Sequence, residues 1–167
     1  KNQLKIFNNE RNIKTIAPYK LVKTMRAGVL VLGPLVSKYQ RAKVSLPGGC
    51  AIGTRPVDLH LFALKKLGAK IKIKNGYIYA TATKGLKGNT IKFPSISVGA
   101  TENAILSAVC AKGKTIIYNC AIEPEINNLI EFLRKMGSKI NLKKRTITIE
   151  GNIYKKKISH KIIPDRI

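Results

Sequence analysis

The stretch PGGCAIGTRPVD, residues 47 to 58, contains the residue types best suited to chemistry. Its three glycines predict a flexible loop whose backbone can approach a ligand closely. Cys50 lies in this loop, five residues before Arg55. A thiol near a cation or a helix N-terminus has a lowered pKa and is more reactive. These residues alone leave two interpretations open: a reactive thiol over an anionic substrate, or a buried packing cysteine beside a surface arginine.

The residues that follow the cysteine predict the start of a helix. Thr54 suits the N-cap, Pro56 suits the first turn, and Asp58 complements the positive end of the helix dipole. A helix N-terminus with Arg55 beside it is suited to binding an anion.

A second candidate site is FPSISVGATEN, residues 93 to 103. It predicts the end of a strand, a glycine-containing turn and the start of a helix. Backbone amides there are placed to hold an oxygen of a phosphate or of a ring carbonyl, although such turns are common. Glu123 and Glu125, in IEPEIN, are candidates for an acid pair, but acids in the first turn of a helix are the simpler interpretation.

These candidates belong to a sequence that repeats. LKKLGAKIKI (64–73) and LRKMGSKINL (133–142) match at a spacing of 69 residues. Each predicts a helix that ends at a glycine, Gly68 or Gly137, followed by a strand of alternating apolar residues. The second strands that follow are residues 76–81 and 145–151.

The preceding half of each copy predicts a helix, a strand and a loop. The helical segments are 19–39 and 101–111, the strands are 42–46 and 114–119, and the loops begin at PGGC and at CAIEPE. The sequence therefore predicts an α/β protein whose units read helix, strand, loop, helix, strand and strand. The N-terminal LKIFNN and RNIKTI resemble the strand pair that would close an earlier copy, whose front half is absent.

The first helical segment contains apolar residues at roughly helical spacing. Pro34 removes one intrahelical hydrogen bond, so we expect a kink or a break there. The periodic residues are Leu21, Val22, Met25, Val29, Leu32, Val36 and Tyr39.

The formal net charge of +24 fits an anionic partner such as nucleic acid, acidic lipid or a phosphorylated substrate. The basic residues are mostly lysines spread over nearly every segment, and along the sequence they form no single stripe with interleaved aromatic residues. We therefore favour drift in composition as the source of the excess charge, with a real anion site within it.

Composition also narrows the class of protein. A chain of 167 residues with 44% hydrophobic residues suits one globular domain, and no apolar run is long enough to span a membrane. The three cysteines are odd in number and unclustered, which favours a reducing, cytosolic compartment over a disulfide framework. No CxxC motif is present and the two histidines are far apart, so we expect no zinc site.

Several motifs, in the same order along the chain, strongly resemble the bacterial UDP-N-acetylglucosamine enolpyruvyltransferases, also called 1-carboxyvinyltransferases. The similarity covers essentially the whole chain, and the cysteine loop is its most specific part. The related enolpyruvylshikimate phosphate synthases share the fold but differ around PGGC and RPVDLH. The motifs are APYKLVKTMRA (17–27), SLPGGCAIGTRPVDLH (45–60), SVGATEN (97–103), EPEI (123–126) and PDRI (164–167).

The resemblance implies an inside-out α/β barrel of two domains, each with three repeated units and with substrates between them. Residues 1–163 would form most of the domain that carries the cysteine loop, with its first unit truncated, and residues 164–167 would begin the crossover to a second domain. The implied reaction moves an enolpyruvyl group from phosphoenolpyruvate to the 3-hydroxyl of UDP-N-acetylglucosamine and releases phosphate. It is the first committed step of peptidoglycan synthesis, occurs in the cytoplasm, and needs no cofactor or metal.

The resemblance also implies roles for individual residues. Cys50 matches the cysteine of a mobile lid, described as a proton donor to the enolpyruvyl methylene and alkylated by the antibiotic fosfomycin. Because only a protonated thiol can donate, a cation that lowers its pKa favours adduct formation over that role. Arg55 matches the lid arginine that meets the phosphate of phosphoenolpyruvate. Some family members have lysine where Ser95 stands, so backbone contacts are more secure there than side-chain contacts. The implied nucleotide-sugar contacts are Arg26, Arg55, Pro56, Val57, Asp58, Leu59, Ser95, Ile96, Ser97 and Val98.

Other parts of the family's site would lie outside this sequence. A Lys-Asn pair that binds phosphoenolpyruvate would precede Lys1, and a general-base aspartate would follow Ile167. We therefore expect little transferase activity from these 167 residues alone, and a second chain or the remainder of the same chain as partner. Two alternatives stay open: a non-catalytic basic domain that binds nucleic acid, and an inactive remnant. PGGCAIGTRPVD favours the transferase, so neither nucleic acid nor a membrane is the expected partner.

Overall fold

The computed structural model describes residues 13–23, 25–47, 57–151 and 157–164, with only the backbone of Arg26. The helices are α1 (Tyr19–Val22), a 3-10 helix (Arg26–Val31), α2 (Leu32–Tyr39), α3 (Asp58–Lys66), α4 (Val98–Ala108) and α5 (Pro124–Lys135). The strands are β1 (Ile16–Ala17), β2 (Arg41–Ser45), β3 (Lys70–Lys74), β4 (Tyr77–Thr81), β5 (Thr90–Lys92), β6 (Gly113–Tyr118), β7 (Lys139–Lys143) and β8 (Thr146–Gly151).

The strands form two four-stranded sheets with the same topology. The first sheet has the order β1-β2-β4-β3, and the second has the order β5-β6-β8-β7. In each sheet the first pair is parallel and the other two pairs are antiparallel. The predicted repeat is therefore confirmed. We call residues 16–81 the first unit and residues 90–151 the second unit.

Each unit begins with a short strand that the predicted order of elements lacks. β1 has two residues and β5 has three, so neither is long enough to show an alternating pattern. Ile16, the last residue of RNIKTI, pairs with Lys43 of the first unit rather than closing an earlier copy. LKIFNN and the start of RNIKTI lie outside the described residues.

The segment 19–39 is not one helix. α1 ends at Val22, a 3-10 helix follows, and α2 begins at Leu32. Pro34 therefore lies in the first turn of α2, where a missing N–H breaks no intrahelical bond, and the interruption precedes it. Because the helix is interrupted, two of the residues predicted to face the core, Leu21 and Met25, are exposed.

The helix ends, by contrast, agree with the predicted glycine C-caps. Gly68 follows α3 with φ +94°, and Gly137 follows α5 with φ +102°. In both copies the residue after the glycine donates a backbone hydrogen bond back into the last turn of the helix. The Ala69 N–H donates to Leu64 O at 2.9 Å, and the Ser138 N–H donates to Leu133 O at 3.0 Å. This is a Schellman arrangement, in which the left-handed residue allows the chain to reverse into a strand.

The helices pack against one face of each sheet and against one another. α4 lies at the centre of this packing, with seven of its residues buried. Those residues are mostly small, which lets neighbouring helices approach its backbone. They are Ala100, Thr101, Asn103, Ala104, Ile105, Ser107 and Ala108.

Asn103 links α4 to three other segments through its side-chain amide. It is fully buried, and its Oδ1 accepts a hydrogen bond from the Gly33 N–H of α2 at 3.0 Å. Its Nδ2 donates to the carbonyl of Val29 in the 3-10 helix at 3.2 Å and lies 3.1 Å from Nδ1 of His60 on α3. One side chain thus hydrogen-bonds to three other segments at the place where the helix is interrupted.

Close approach at Gly33 is needed for this arrangement. A Cβ at this position would overlap Asn103 Oδ1 and Ser107 Oγ. Glycine is therefore required because of the space that α4 occupies.

We expect Asn103→Ala to destabilise the fold by about 2–4 kcal/mol, because it removes the buried partner of the Gly33 N–H and one of the two donors to the Val29 carbonyl. The measurement is the free energy of unfolding in urea, with Asn141→Ala as a control at an exposed asparagine of β7. A loss below about 1 kcal/mol, similar to that of the control, would contradict the role given to Asn103.

Candidate functional site

The structure describes part of the predicted site. Cys50, Arg55 and Pro56 lie outside the described residues, as does Thr54. Arg26 begins the 3-10 helix, and only its backbone is described. The remaining predicted contacts lie at the starts of two helices, α3 and α4, and are Val57, Asp58, Leu59, Ser95, Ile96, Ser97 and Val98.

α3 begins later than predicted. Val57 is its N-cap residue and is buried, and its carbonyl accepts from the Leu61 N–H at 3.1 Å. Asp58 lies in the first turn and is exposed, as expected for an acid that complements the helix dipole. Leu59 is half-buried against the core. The N-cap side chain, that of Val57, makes no capping hydrogen bond to this helix.

α4 also begins at a different residue from the one expected. Ser97 is its N-cap, and its Oγ accepts from the Ala100 N–H at 3.3 Å. The helix therefore starts at Val98, and Gly99 lies in its first turn rather than in the turn before it. Ser95 and Ile96 are exposed immediately before this start.

The first turns of α3 and α4 are in contact. A Cβ at Gly99 would lie 3.2 Å from Cε1 and 3.4 Å from Nε2 of His60, so the imidazole occupies the space beside the glycine. Two helix N-termini, with the predicted contacts of both segments, therefore lie side by side. Each N-terminus carries a partial positive charge and backbone N–H groups, which together favour a bound anion such as a phosphate.

His60 and Asn103 were not singled out as functional residues from the sequence. Gly33 N–H can only donate, so it fixes the orientation of the Asn103 amide and places Nδ2 against His60 Nδ1. Nδ1 must then accept, and the neutral ring carries its proton on Nε2. Burial lowers the pKa of His60 to about 4, so the ring is neutral at physiological pH. His60 and Asn103 are 43 positions apart, and the only signal in the sequence was an asparagine within a predicted helix.

The loop that follows β6 is anchored to the same end of α4. Thr101 is buried, and its hydroxyl donates to the Ser97 carbonyl at 2.8 Å and accepts from the Ala121 N–H at 3.1 Å. Glu123 is the N-cap residue of α5, and Glu125 lies in its first turn, which agrees with the simpler interpretation of IEPEIN. Burial, and then the charge of Glu125, raise the pKa of Glu102.

Both described cysteines differ from a reactive thiol. Cys110 is exposed and Cys120 is buried. Desolvation raises the pKa of each thiol, more than nearby cations lower it. Neither is therefore activated for nucleophilic attack at neutral pH.

A groove of about 630 Å³ lies elsewhere, between α5 and the segment 157–164. Phe132 packs edge-on against His160 there, with ring centroids 5.4 Å apart, and the remaining lining is largely apolar. This groove runs along α5 and not at the adjoining starts of α3 and α4, and none of the predicted contacts that the structure describes lines it. None of the described helices is long and apolar enough to cross a membrane.

The architecture is that of an α/β protein with repeated units and an anion-favouring pair of helix starts. The chain belongs to the EPSP synthase (3-phosphoshikimate 1-carboxyvinyltransferase) family, whose profile matches residues 1–167.

Three curated relatives of this chain carry the same name. It is 61% identical over 163 residues to the UDP-N-acetylglucosamine 1-carboxyvinyltransferase of Pelagibacter ubique (strain HTCC1062), covering 97% of this chain and 39% of that protein. It is 54% identical to the protein of the same name from Endomicrobium trichonymphae, and the match covers 99% of this chain and 40% of that protein. It is 57% identical to the protein of the same name from Myxococcus xanthus (strain DK1622), and the match covers 90% of this chain and 36% of that protein. The chain thus spans about two fifths of the length of the relatives it matches.

Solved structures confirm the expected fold. The enolpyruvyl transferase NikO from Streptomyces tendae matches with a TM-score of 0.67 at 23% identity, covering 81% of this chain and 32% of that one. An EPSP synthase from Acinetobacter baumannii matches with a TM-score of 0.62 at 18% identity, covering 78% and 29%. The two described units are therefore part of the inside-out α/β architecture.

The low pKa of His60 predicts how stability depends on pH. In the unfolded chain this ring takes up a proton near pH 6.5, and in the folded protein only near pH 4. Stability is therefore lost as pH falls between these values, by up to about 3 kcal/mol at 1.36 kcal/mol per pH unit. In His60→Gln, the difference in unfolding free energy between pH 7.5 and pH 4 should be smaller by an amount of this order. An unchanged difference would show that His60 does not stay neutral.

Proposed function

We propose that this chain is part of an enzyme that transfers the enolpyruvyl group of phosphoenolpyruvate to the 3-hydroxyl of UDP-N-acetylglucosamine and releases phosphate. The observation that carries this proposal is the 61% identity, over 97% of the chain, to a protein named UDP-N-acetylglucosamine 1-carboxyvinyltransferase. The cysteine loop PGGCAIGTRPVD, which resembles the lid of that enzyme class, is complete in this sequence.

The adjoining starts of α3 and α4 support a nucleotide-sugar site. The diphosphate of the substrate carries negative charge, and both helix starts present backbone donors and a positive dipole end. In this proposal Val57–Leu59 and Ser95–Val98 contact the UDP-sugar, with the backbone of 95–98 contributing more than the Ser95 side chain. Arg26 contributes a further cation.

Cys50 and Arg55 act from the loop that precedes α3. The Arg55 guanidinium binds the phosphate of phosphoenolpyruvate, since its planar pair of donors matches two phosphate oxygens, which a lysine does not reproduce. The Cys50 thiol either protonates the enolpyruvyl methylene or adds across the enolpyruvyl double bond, with its sulfur on the oxygen-bearing carbon and a proton on the methylene. The same thiol would be the target of fosfomycin.

The proposed active site needs more than these residues. Residues 1–163 would supply most of the lid-carrying domain and 164–167 the start of the crossover, while the remainder of a longer chain or a second chain supplies the opposite wall. The reaction would take place in the cytoplasm as the first committed step of peptidoglycan synthesis, without a cofactor.

The test is phosphate release by the native polypeptide with phosphoenolpyruvate and UDP-N-acetylglucosamine. Cys50→Ala removes the thiol, and we expect at least a 100-fold fall in turnover, the usual size of a lost proton donor. Arg55→Ala should weaken binding of both substrates, and Arg55→Lys should restore only part of it because bidentate contact is lost.

The matched control is Cys110→Ala, at an exposed cysteine whose thiol pKa is raised by partial desolvation. This variant should retain turnover. Loss of activity in both cysteine variants, or UDP-sugar binding that survives Arg55→Ala unchanged, would contradict the proposed roles. Robust turnover by residues 1–167 alone would contradict the need for a further domain.

A further inference from the structure

The outer face of the first sheet combines tyrosines with lysines. Residues directly opposite each other on paired strands share a face. The register brings together Lys43, Lys70, Lys72, Lys74, Tyr77 and Tyr79, and we call this patch the tyrosine–lysine face. The opposite face of the same strands is buried through residues such as Ile78 and Ala80.

The cations and the rings of this face are interleaved. Tyr79 lies between Lys43 on β2 and Lys72 on β3, and Tyr77 lies opposite Lys74. The Lys43 ammonium is 4.6 Å from the ring centroid of Tyr77 and 5.3 Å from that of Tyr79. Both distances are within the range of a cation–π contact, so Lys43 is held at the rings rather than extended into solvent.

The four described strands of the first sheet contain no acidic residue. Between Glu10 and Glu102 the only acid in the sequence is Asp58, which lies at the start of α3. This interleaving of cations and rings is not visible along the sequence. Strand pairing brings together residues, such as Lys43 and Tyr79, that are far apart in sequence.

The second unit serves as an internal reference, because the same topology places Thr146 and Thr148 where the first unit has Tyr77 and Tyr79. Asn141, opposite Thr148, replaces Lys72. On the same face Glu150 pairs with Lys139 at 3.1 Å. A general drift toward lysine would affect both sheets alike, so it does not explain a tyrosine pair and unbalanced cations on one of them.

We propose that the tyrosine–lysine face binds single-stranded nucleic acid. Bases stack on Tyr77 and Tyr79, and Lys43, Lys72 and Lys74 contact the backbone phosphates. The two tyrosines are two residues apart on β4, or about 6.6 Å along the strand, which suits an extended single strand with unstacked bases. An anionic membrane would be favoured by projecting apolar side chains, whereas this face presents rings that lie among cations.

The test measures binding of a fluorescein-labelled 15-nucleotide oligouridine to the native polypeptide by fluorescence anisotropy, over a series of salt concentrations. The double variant Tyr77→Thr/Tyr79→Thr keeps the charge and carries the residues that the second sheet already tolerates. We expect it to weaken binding at least about tenfold, as expected for lost base stacking. The control Tyr118→Thr, at an exposed tyrosine of β6, should bind like the native protein.

A second pair of variants separates local from general charge. Lys43→Gln/Lys72→Asn should weaken binding more than Lys114→Gln/Lys143→Gln, which removes the same charge from the second sheet, and should flatten the salt dependence. Equal losses in the two lysine pairs would overturn the proposal, since net charge alone would then explain binding. The proposal would also be overturned if the tyrosine variant bound oligouridine as tightly as the native protein does, or if this variant lost affinity only for phosphatidylglycerol vesicles. Transferase turnover should be unchanged in all of these variants, so this result is independent of the proposed function.

Discussion

The hydrogen bonds of the Asn103 amide are the interaction on which the described structure depends. α4 packs through small residues, and Asn103 is the point at which α2, the 3-10 helix and α3 are each fixed to it. A polar residue in this position is costly to bury unless every partner is present. Because the Asn103 amide makes its hydrogen bonds to three different segments, it fixes both the packing of these helices and the position of the first turn of α3.

This constraint explains why the candidate site lies where it does. The bond to His60 fixes the first turn of α3, and the contact of His60 with Gly99 places that turn beside the start of α4. The starts of α3 and α4 are then adjacent. Burial keeps the His60 imidazole neutral, so it fills the space between the two turns without placing a cation beside two positive helix ends.

The repeat and the unit order could largely be predicted from the sequence, because they depend on local signals. Gly68 and Gly137 mark the helix ends, and alternating residues mark the strands after them. Three features could not be predicted in this way, since each depends on long-range pairing or on a single capping bond. They are the short parallel strands β1 and β5, the break before Pro34, and the start of α4 at Val98. The contact between His60 and Asn103 and the tyrosine–lysine face likewise appear only when distant segments are brought together. The roles of Cys50, Arg55 and Arg26 stay predictions.

The most direct test of the account is hydrogen exchange of the native polypeptide with and without UDP-N-acetylglucosamine. If the two helix starts form the anion site, the ligand should slow amide exchange at residues 57–59 and 95–98 together. The groove along α5 should be unaffected. Protection confined to the groove at Phe132 and His160, or at only one of the two helix starts, would contradict the claim that α3 and α4 form one site.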